Sequence, residues 1–326
     1  MSRTTTSTTT SRVASSPGER AFAGTAAALF ETIKPGITRL VTITTTVGFA
    51  MAGLGRSWST SEFVTALLGC VIGTFLSAGG ANALNEWMER DRDKLMDRTK
   101  SRPLPKSTLE SSTVLAWGLG LCFGGTLILL LICGPMPALI SLACVVSYLA
   151  IYTPLKTVSP LSTLAGAIPG ALPPLIGWAA ATEAEGLQAV TEAGGLSLFG
   201  LMFVWQLPHF FAIAWLYRDD YAKGGYRMLP IIDPTGRVSA LTILVTAVLL
   251  LPLTLFPAWA MPKLLGLAYI AIAALTGLAY IALAIKLVGS RSRHDARLVF
   301  FASIIHLPVL LLAMVGEALV RTLLGH

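Results

Sequence analysis

The sequence predicts an all-α polytopic membrane protein, with nine transmembrane helices around a central apolar cavity. Three observations lead there. Hydrophobic residues make up 54% of the 326 residues and charged residues only 13%, with a mean hydropathy of +0.71; a water-soluble domain cannot cover that much apolar surface. The apolar residues gather in stretches of about 20, enough for one helix to cross the hydrocarbon core of a bilayer. Most of the Lys and Arg residues fall on the N-terminal side and in alternate connections between those stretches.

Taken in order, residues 1–22 are rich in Ser and Thr and carry Arg3, Arg12 and Arg20, a composition expected to be disordered. The segment is short of acids, as organellar transit peptides are, and has no apolar run of the secretory type; it reads as a plain tail. Residues 23–326 read as one intramembrane domain, with acidic loops at 85–111 and 218–237. The spanning stretches are 36–55, 63–84, 112–133, 136–155, 160–181, 195–217, 238–258, 264–286 and 298–320. The fifth contains Pro169, Pro173 and Pro174, which membrane helices tolerate when neighbours satisfy the freed backbone groups. Cys70, Cys122, Cys133 and Cys144 all lie within apolar stretches without metal-ligand spacing, and read as small packing residues.

The connections after the second, fourth, sixth and eighth spans hold most of the bases. The opposite side shows only Arg56, Lys263 and Arg321. The positive-inside rule therefore puts the N-terminus and these loops in the cytoplasm of a bacterial inner membrane, or in the equivalent compartment of a mitochondrial inner membrane, and the C-terminus outside, as an odd number of spans requires.

The first of these loops carries the densest charge in the chain. Asn85, Glu89 and Asp93 are spaced four apart, so on a helix they form one stripe. An amide oxygen and two carboxylates are hard ligands, suited to Mg²⁺ that shares its shell with substrate phosphates. Arg98 and Arg102 repeat the spacing and can fork onto phosphate oxygens, with the Thr99 hydroxyl between them. The plain alternative is a solvated, salt-bridged helix. A second polar segment starts inside the sixth span with Trp205, Gln206 and His209, costly in lipid and so expected to face the bundle interior. It emerges on the same side with Arg218, Asp219 and Asp220. A third closes the fourth span as Tyr152-Thr-Pro-Leu-Lys156. Three clusters on one face point to a single pocket for an anionic headgroup, with its tail between the helices.

The stripe followed by Met96-Asp-Arg-Thr-Lys-Ser-Arg-Pro103 resembles the signature of the protohaem IX farnesyltransferases (haem O synthases), a branch of the UbiA-type intramembrane prenyltransferases. Tyr152-Thr-Pro-Leu-Lys156, Trp205-Gln-Leu-Pro-His-Phe210 and Asp220-Tyr-Ala-Lys-Gly-Gly-Tyr-Arg-Met228 are similar to the other motifs of that family. The resemblance runs from about Lys34 to the Ser303 region. It implies transfer of a farnesyl group from farnesyl diphosphate to the 2-vinyl carbon of haem B, giving haem O for terminal oxidases. Haem B would be a substrate, Mg²⁺ the cofactor, and haem A synthase or oxidase assembly proteins candidate partners. Catalytic roles would fall to Asn85, Glu89, Asp93, Lys156 and Asp220, with Mg²⁺ on the stripe and on Asp219 and Asp220. Arg98, Thr99, Arg102, Lys156 and Arg218 would hold the diphosphate. His209, Trp205, Gln206 and His306 would meet haem.

There are departures. Residue 89 is Glu where many bacterial relatives have Asp, and His306 stands where relatives often have Tyr. Quinone-type relatives carry acids where this chain has Phe210 and Tyr217, which reduces the second metal arm to Asp219 and Asp220. The rival readings are a UbiA-type enzyme acting on a quinone or chlorophyll precursor, a secondary transporter, and a membrane assembly factor without chemistry. Charge gathered at one surface, with no evident internal repeat, sets the chain apart from the usual transporter pattern.

Overall fold

The computed structural model describes residues 17–54, 56–182, 186 and 188–325, and among them it contains helices and no strand. Most of the tail expected to be disordered lies outside the described residues. Its end is a correction: α1 (Pro17–Thr32) is already helical from Pro17.

Among the described residues, eight helices are long and apolar enough to span a bilayer. They are α3 (Thr60–Asp93), α4 (Ser111–Ile128) with its π-helical extension Leu129–Cys133, and α5 (Pro135–Val146), which runs through the π-helical Ser147–Tyr152 into α6 (Thr153–Leu155). The pair α7 (Ser162–Ala171) and α8 (Pro173–Ala181) makes one span; α10 (Ala193–Leu216), α13 (Arg237–Ala260), α14 (Leu267–Ser290) and α15 (Arg293–Leu324) complete the set. The remaining expected span is the 19-residue α2 (Pro35–Gly53), whose threonines and Arg39 lower its hydropathy. Three of its hydroxyls are satisfied within the helix: Thr42, Thr44 and Thr46 each donate to the carbonyl four residues back. Short helices α9 (Gln188–Thr191), α11 (Arg218–Lys223) and α12 (Leu229–Ile232) lie in the connections.

Two local features position the site. First, α3 does not stop where its apolar run stops. It begins with a capping box at Ser59 and Glu62 and continues past Leu84 to Asp93, so the acidic stripe extends a membrane helix by more than two turns. Second, glycines bring helices together. A Cβ on Gly177 of α8 would fall on the Thr45 carbonyl of α2, and one on Gly48 would fall on the Pro174 carbonyl. Small residues at such contacts let backbones pack closely where lipid offers no hydrophobic drive. The break at Leu172, forced by Pro173 and Pro174, lets one span pack against α10 with its first half and α2 with its second.

Candidate active site

The stripe forms as expected. Asn85 (1% exposed), Glu89 (6%) and Asp93 (1%) are all buried, and each meets a base from a different segment. Lys34 Nζ donates to Asn85 Oδ1 at 2.6 Å. Lys156 Nζ donates to Glu89 Oε1 at 2.7 Å. Arg102 donates to Asp93 Oδ2 at 2.6 Å. Carboxylates this far from water persist only when paired. Asn85 is held further by its amide, which donates to the Thr153 hydroxyl at 2.9 Å.

Each base is delivered by local structure. Lys34 has a left-handed backbone, φ 49°, directly before Pro35 at the start of α2; this conformation is strained for a side-chain-bearing residue. Arg102 returns to the helix end because the Thr99 hydroxyl donates to the Asp93 carbonyl and the Leu104 amide donates to buried Glu86. Lys156 follows the π-helical turn that ends at Tyr152. Its ammonium lies 4.6 Å from the Tyr152 ring and 5.6 Å from the Tyr226 ring. Burial opposes the charge on Lys156, but Tyr152, Glu89 and neighbouring tyrosines outweigh it and hold the ammonium well above the usual lysine range. Lys34 goes the other way: burial, then Arg102, pushes it down to about 7. Arg102 stays charged despite burial because Asp93 is beside it.

The donor set fits Mg²⁺ of a particular kind. Among the described residues no three His, Cys, Asp or Glu side chains cluster as a metal cage. The stripe offers two carboxylates and one amide oxygen, which suits a small hard cation that takes its other ligands from water and substrate phosphates.

The remaining sequence expectations are met unevenly. Asp220 is held by other partners: its carboxylate accepts the backbone amides of Asp97 at 2.8 Å and Arg98 at 3.0 Å. Asp219 is exposed and pairs with Arg218 at 3.4 Å. The structure thus places the expected second metal arm, and Arg218 with it, in surface contacts apart from the stripe. Arg98 lies over the rings of Tyr217 and Tyr221, 5.5 Å from each, and Thr99 is taken up by the helix end. Of the expected phosphate contacts, only Arg102 and Lys156 reach the stripe.

The four expected haem contacts do not share one place. His209 stacks between Trp205 and Phe300, at 5.0 and 5.3 Å, and its Nδ1 lies 2.6 Å from the Ser303 hydroxyl. The Trp205 indole donates to the Ser303 carbonyl. Gln206 faces the opposite neighbour, donating to the Ala167 carbonyl of α7. His306 lies one turn past Ser303, 5.8 Å from Tyr280, with neither ring nitrogen hydrogen-bonded. Sequence reasoning missed Lys34, Glu86 and Tyr226. A lysine immediately before proline at the mouth of an apolar run was the available signal for the first, and the Gly-Gly-Tyr-Arg-Met stretch ending at Met228 for Tyr226; nothing local marks Glu86.

A buried stripe of oxygen donors faced by bases at one end of a membrane bundle is a site for a charged group at the mouth of an apolar interior. The UbiA prenyltransferase family model matches residues 41–305, and the chain belongs to that family. It is 39% identical over 290 residues to the protoheme IX farnesyltransferase of Solibacter usitatus, covering 86% of this chain and 94% of that one. It is 38% identical over 288 residues to the enzyme of the same name from Aquifex aeolicus, covering 87% and 92%. Among solved structures, a digeranylgeranylglyceryl phosphate synthase shares the fold with a TM-score of 0.72 at 17% identity, over 90% of this chain and 98% of that one. A UbiA homologue from Archaeoglobus fulgidus bound to DMAPP and Mg²⁺ gives 0.59 at 13% identity, over 90% and 98%.

Proposed function

We propose that the protein transfers the farnesyl group of farnesyl diphosphate to the 2-vinyl group of haem B, with addition of water, giving haem O. The observation that carries this reading is the buried Asn85–Glu89–Asp93 stripe faced by Lys34, Arg102 and Lys156, in a chain similar along most of its length to protoheme IX farnesyltransferases. Three acids, counting Glu86, and three bases nearly balance at the site. Such a site suits a charged ligand that arrives together with its own counter-ion.

Asn85, Glu89 and Asp93 would hold Mg²⁺, which, when bound, neutralises charge on the diphosphate and so improves it as a leaving group. Lys34, Lys156 and Arg102 then turn from Asn85, Glu89 and Asp93 to diphosphate oxygens and stabilise the charge that develops as the carbon–oxygen bond breaks. The electron pair of that bond leaves with the diphosphate. Tyr152, whose ring lies 4.6 Å from the Lys156 ammonium, offers that face to the allylic cation once Lys156 has turned to the diphosphate. The vinyl carbon attacks farnesyl C1, and the positive charge passes to the adjacent haem carbon. Water adds there and loses a proton to solvent. The apolar helices exclude water from the cation until the new bond has formed.

His209 is the favoured haem contact: its Nδ1 is fixed by Ser303, which leaves Nε2 as the free ring nitrogen, the arrangement expected of an oriented ligand. His306 is the second candidate, because two unpartnered ring nitrogens inside a bundle call for a ligand or water. The distribution of Lys and Arg supports a site on the cytoplasmic or equivalent side of the membrane and a C-terminus on the opposite side. The test is acceptor choice. Purified protein with farnesyl diphosphate and Mg²⁺ should release diphosphate with haem B and not with an aromatic quinone precursor. Release with the quinone precursor alone would move the protein to the quinone branch.

A further inference from the structure

We propose that Asp220 is a positioning residue, which acts through the backbone of the first loop to hold Arg102 over Asp93, and not a metal ligand. Its two carboxylate oxygens accept the amides of consecutive residues, Asp97 at 2.8 Å and Arg98 at 3.0 Å. Among the described residues no backbone carbonyl accepts either amide. These residues open the turn that leads through Thr99 to Arg102. Thr99 N donates to the Met96 carbonyl, Arg102 N to the Thr99 carbonyl, and the Arg102 guanidinium then reaches Asp93. The carboxylate therefore fixes the first link of a chain whose last link is a diphosphate base.

Other contacts make the 217–228 segment a brace across both loops. Lys223 donates to Asp97 at 2.6 Å, and Arg92 donates to the Gly224 carbonyl at 3.2 Å. Met96 packs with Ala214, Tyr226 and Met228 in a small buried cluster. The Arg227 amide donates to the Lys156 carbonyl at 2.8 Å. One segment thus sets the backbone behind two of the three bases. A carboxylate that accepts two amides side by side satisfies both donors at once, and asparagine, with one acceptor oxygen, cannot reproduce this.

The inference rests on Arg102 serving the diphosphate, but its first test does not. Amide hydrogen exchange is measured on the wild-type protein in detergent, without Mg²⁺ or substrate. Although Asp97 and Arg98 are exposed, their amides should exchange at least ~10-fold slower than free peptide. Free-peptide exchange at both would overturn the proposal without touching the proposed reaction. In Asp220→Asn the protection should fall at residues 97 and 98. The KM for farnesyl diphosphate should then rise about 10-fold, while the Mg²⁺ concentration giving half-maximal rate stays within about twofold. A raised Mg²⁺ requirement with an unchanged KM would make Asp220 a metal ligand and refute the positioning role.

Discussion

Replacing Lys156 by Met tests the claim that the acids of the stripe depend on their bases. The ammonium lies 2.7 Å from Glu89 Oε1, and the two side chains are only 11% and 7% exposed. Removing one partner of so buried a pair leaves a charge without compensation, at a cost of about 3–5 kcal/mol. Lys34 is also close enough to act on Glu89, so the lower end is expected. Glu89→Gln breaks the same pair from the other side, but leaves Lys156 against the Tyr152 and Tyr226 rings. That contact retains about 1–2 kcal/mol, so this loss should be the smaller. The double variant buries neither charge and should recover part of both losses, giving a coupling of about 1–3 kcal/mol. The assay is denaturant unfolding in detergent without Mg²⁺. Three variants within ~0.5 kcal/mol of wild type, or two losses that simply add, would refute the pairing.

Other expectations follow from the same geometry. Lys34→Met removes one charged hydrogen bond from the diphosphate and should weaken farnesyl diphosphate binding about 10- to 100-fold in titration calorimetry; since Asn85 keeps its bond to Thr153, the fold should survive, and unchanged affinity would remove Lys34 from the site. Gly177→Ala places a methyl group on the Thr45 carbonyl and should cost about 1–3 kcal/mol. Gly120→Ala, with nothing within 4 Å, should cost little, and equal effects would contradict the α2–α8 packing. Asp97 is drawn down to about 2 by Lys100 and Lys223. A carboxylate with a depressed folded pKa contributes above its unfolded value and loses that contribution as pH falls through the folded one. The Lys223–Asp97 contact should therefore persist between pH 8 and 5 and fail only in strong acid; loss of the loop contact near pH 6, seen by amide exchange, would contradict the assignment.

Much of the fold was legible because apolar run length and Lys/Arg placement are direct consequences of a bilayer. The stripe was legible for a related reason: four-residue spacing is a helical property whether or not the segment lies in lipid. That α3 carries the stripe as one unbroken helix could not be read, since the charges hide where an apolar helix ends. The fate of Asp220 was equally hidden. An acid at the surface is written the same way whether it meets a metal or two backbone amides, and only the fold of residues 94–102 brings those amides to it. Lys34 was overlooked because it is 51 residues from Asn85. Gln206 and His209, three residues apart on one helix, were read together, yet they face α7 and α15 respectively.

The most direct measurement is mass spectrometry of haem extracted after purified protein is incubated with haem B, farnesyl diphosphate and Mg²⁺, with a parallel sample in chelator. The account predicts a haem heavier by one farnesyl group and one water in the first sample and none in the second. Unmodified haem in both, with farnesyl diphosphate intact, would contradict it.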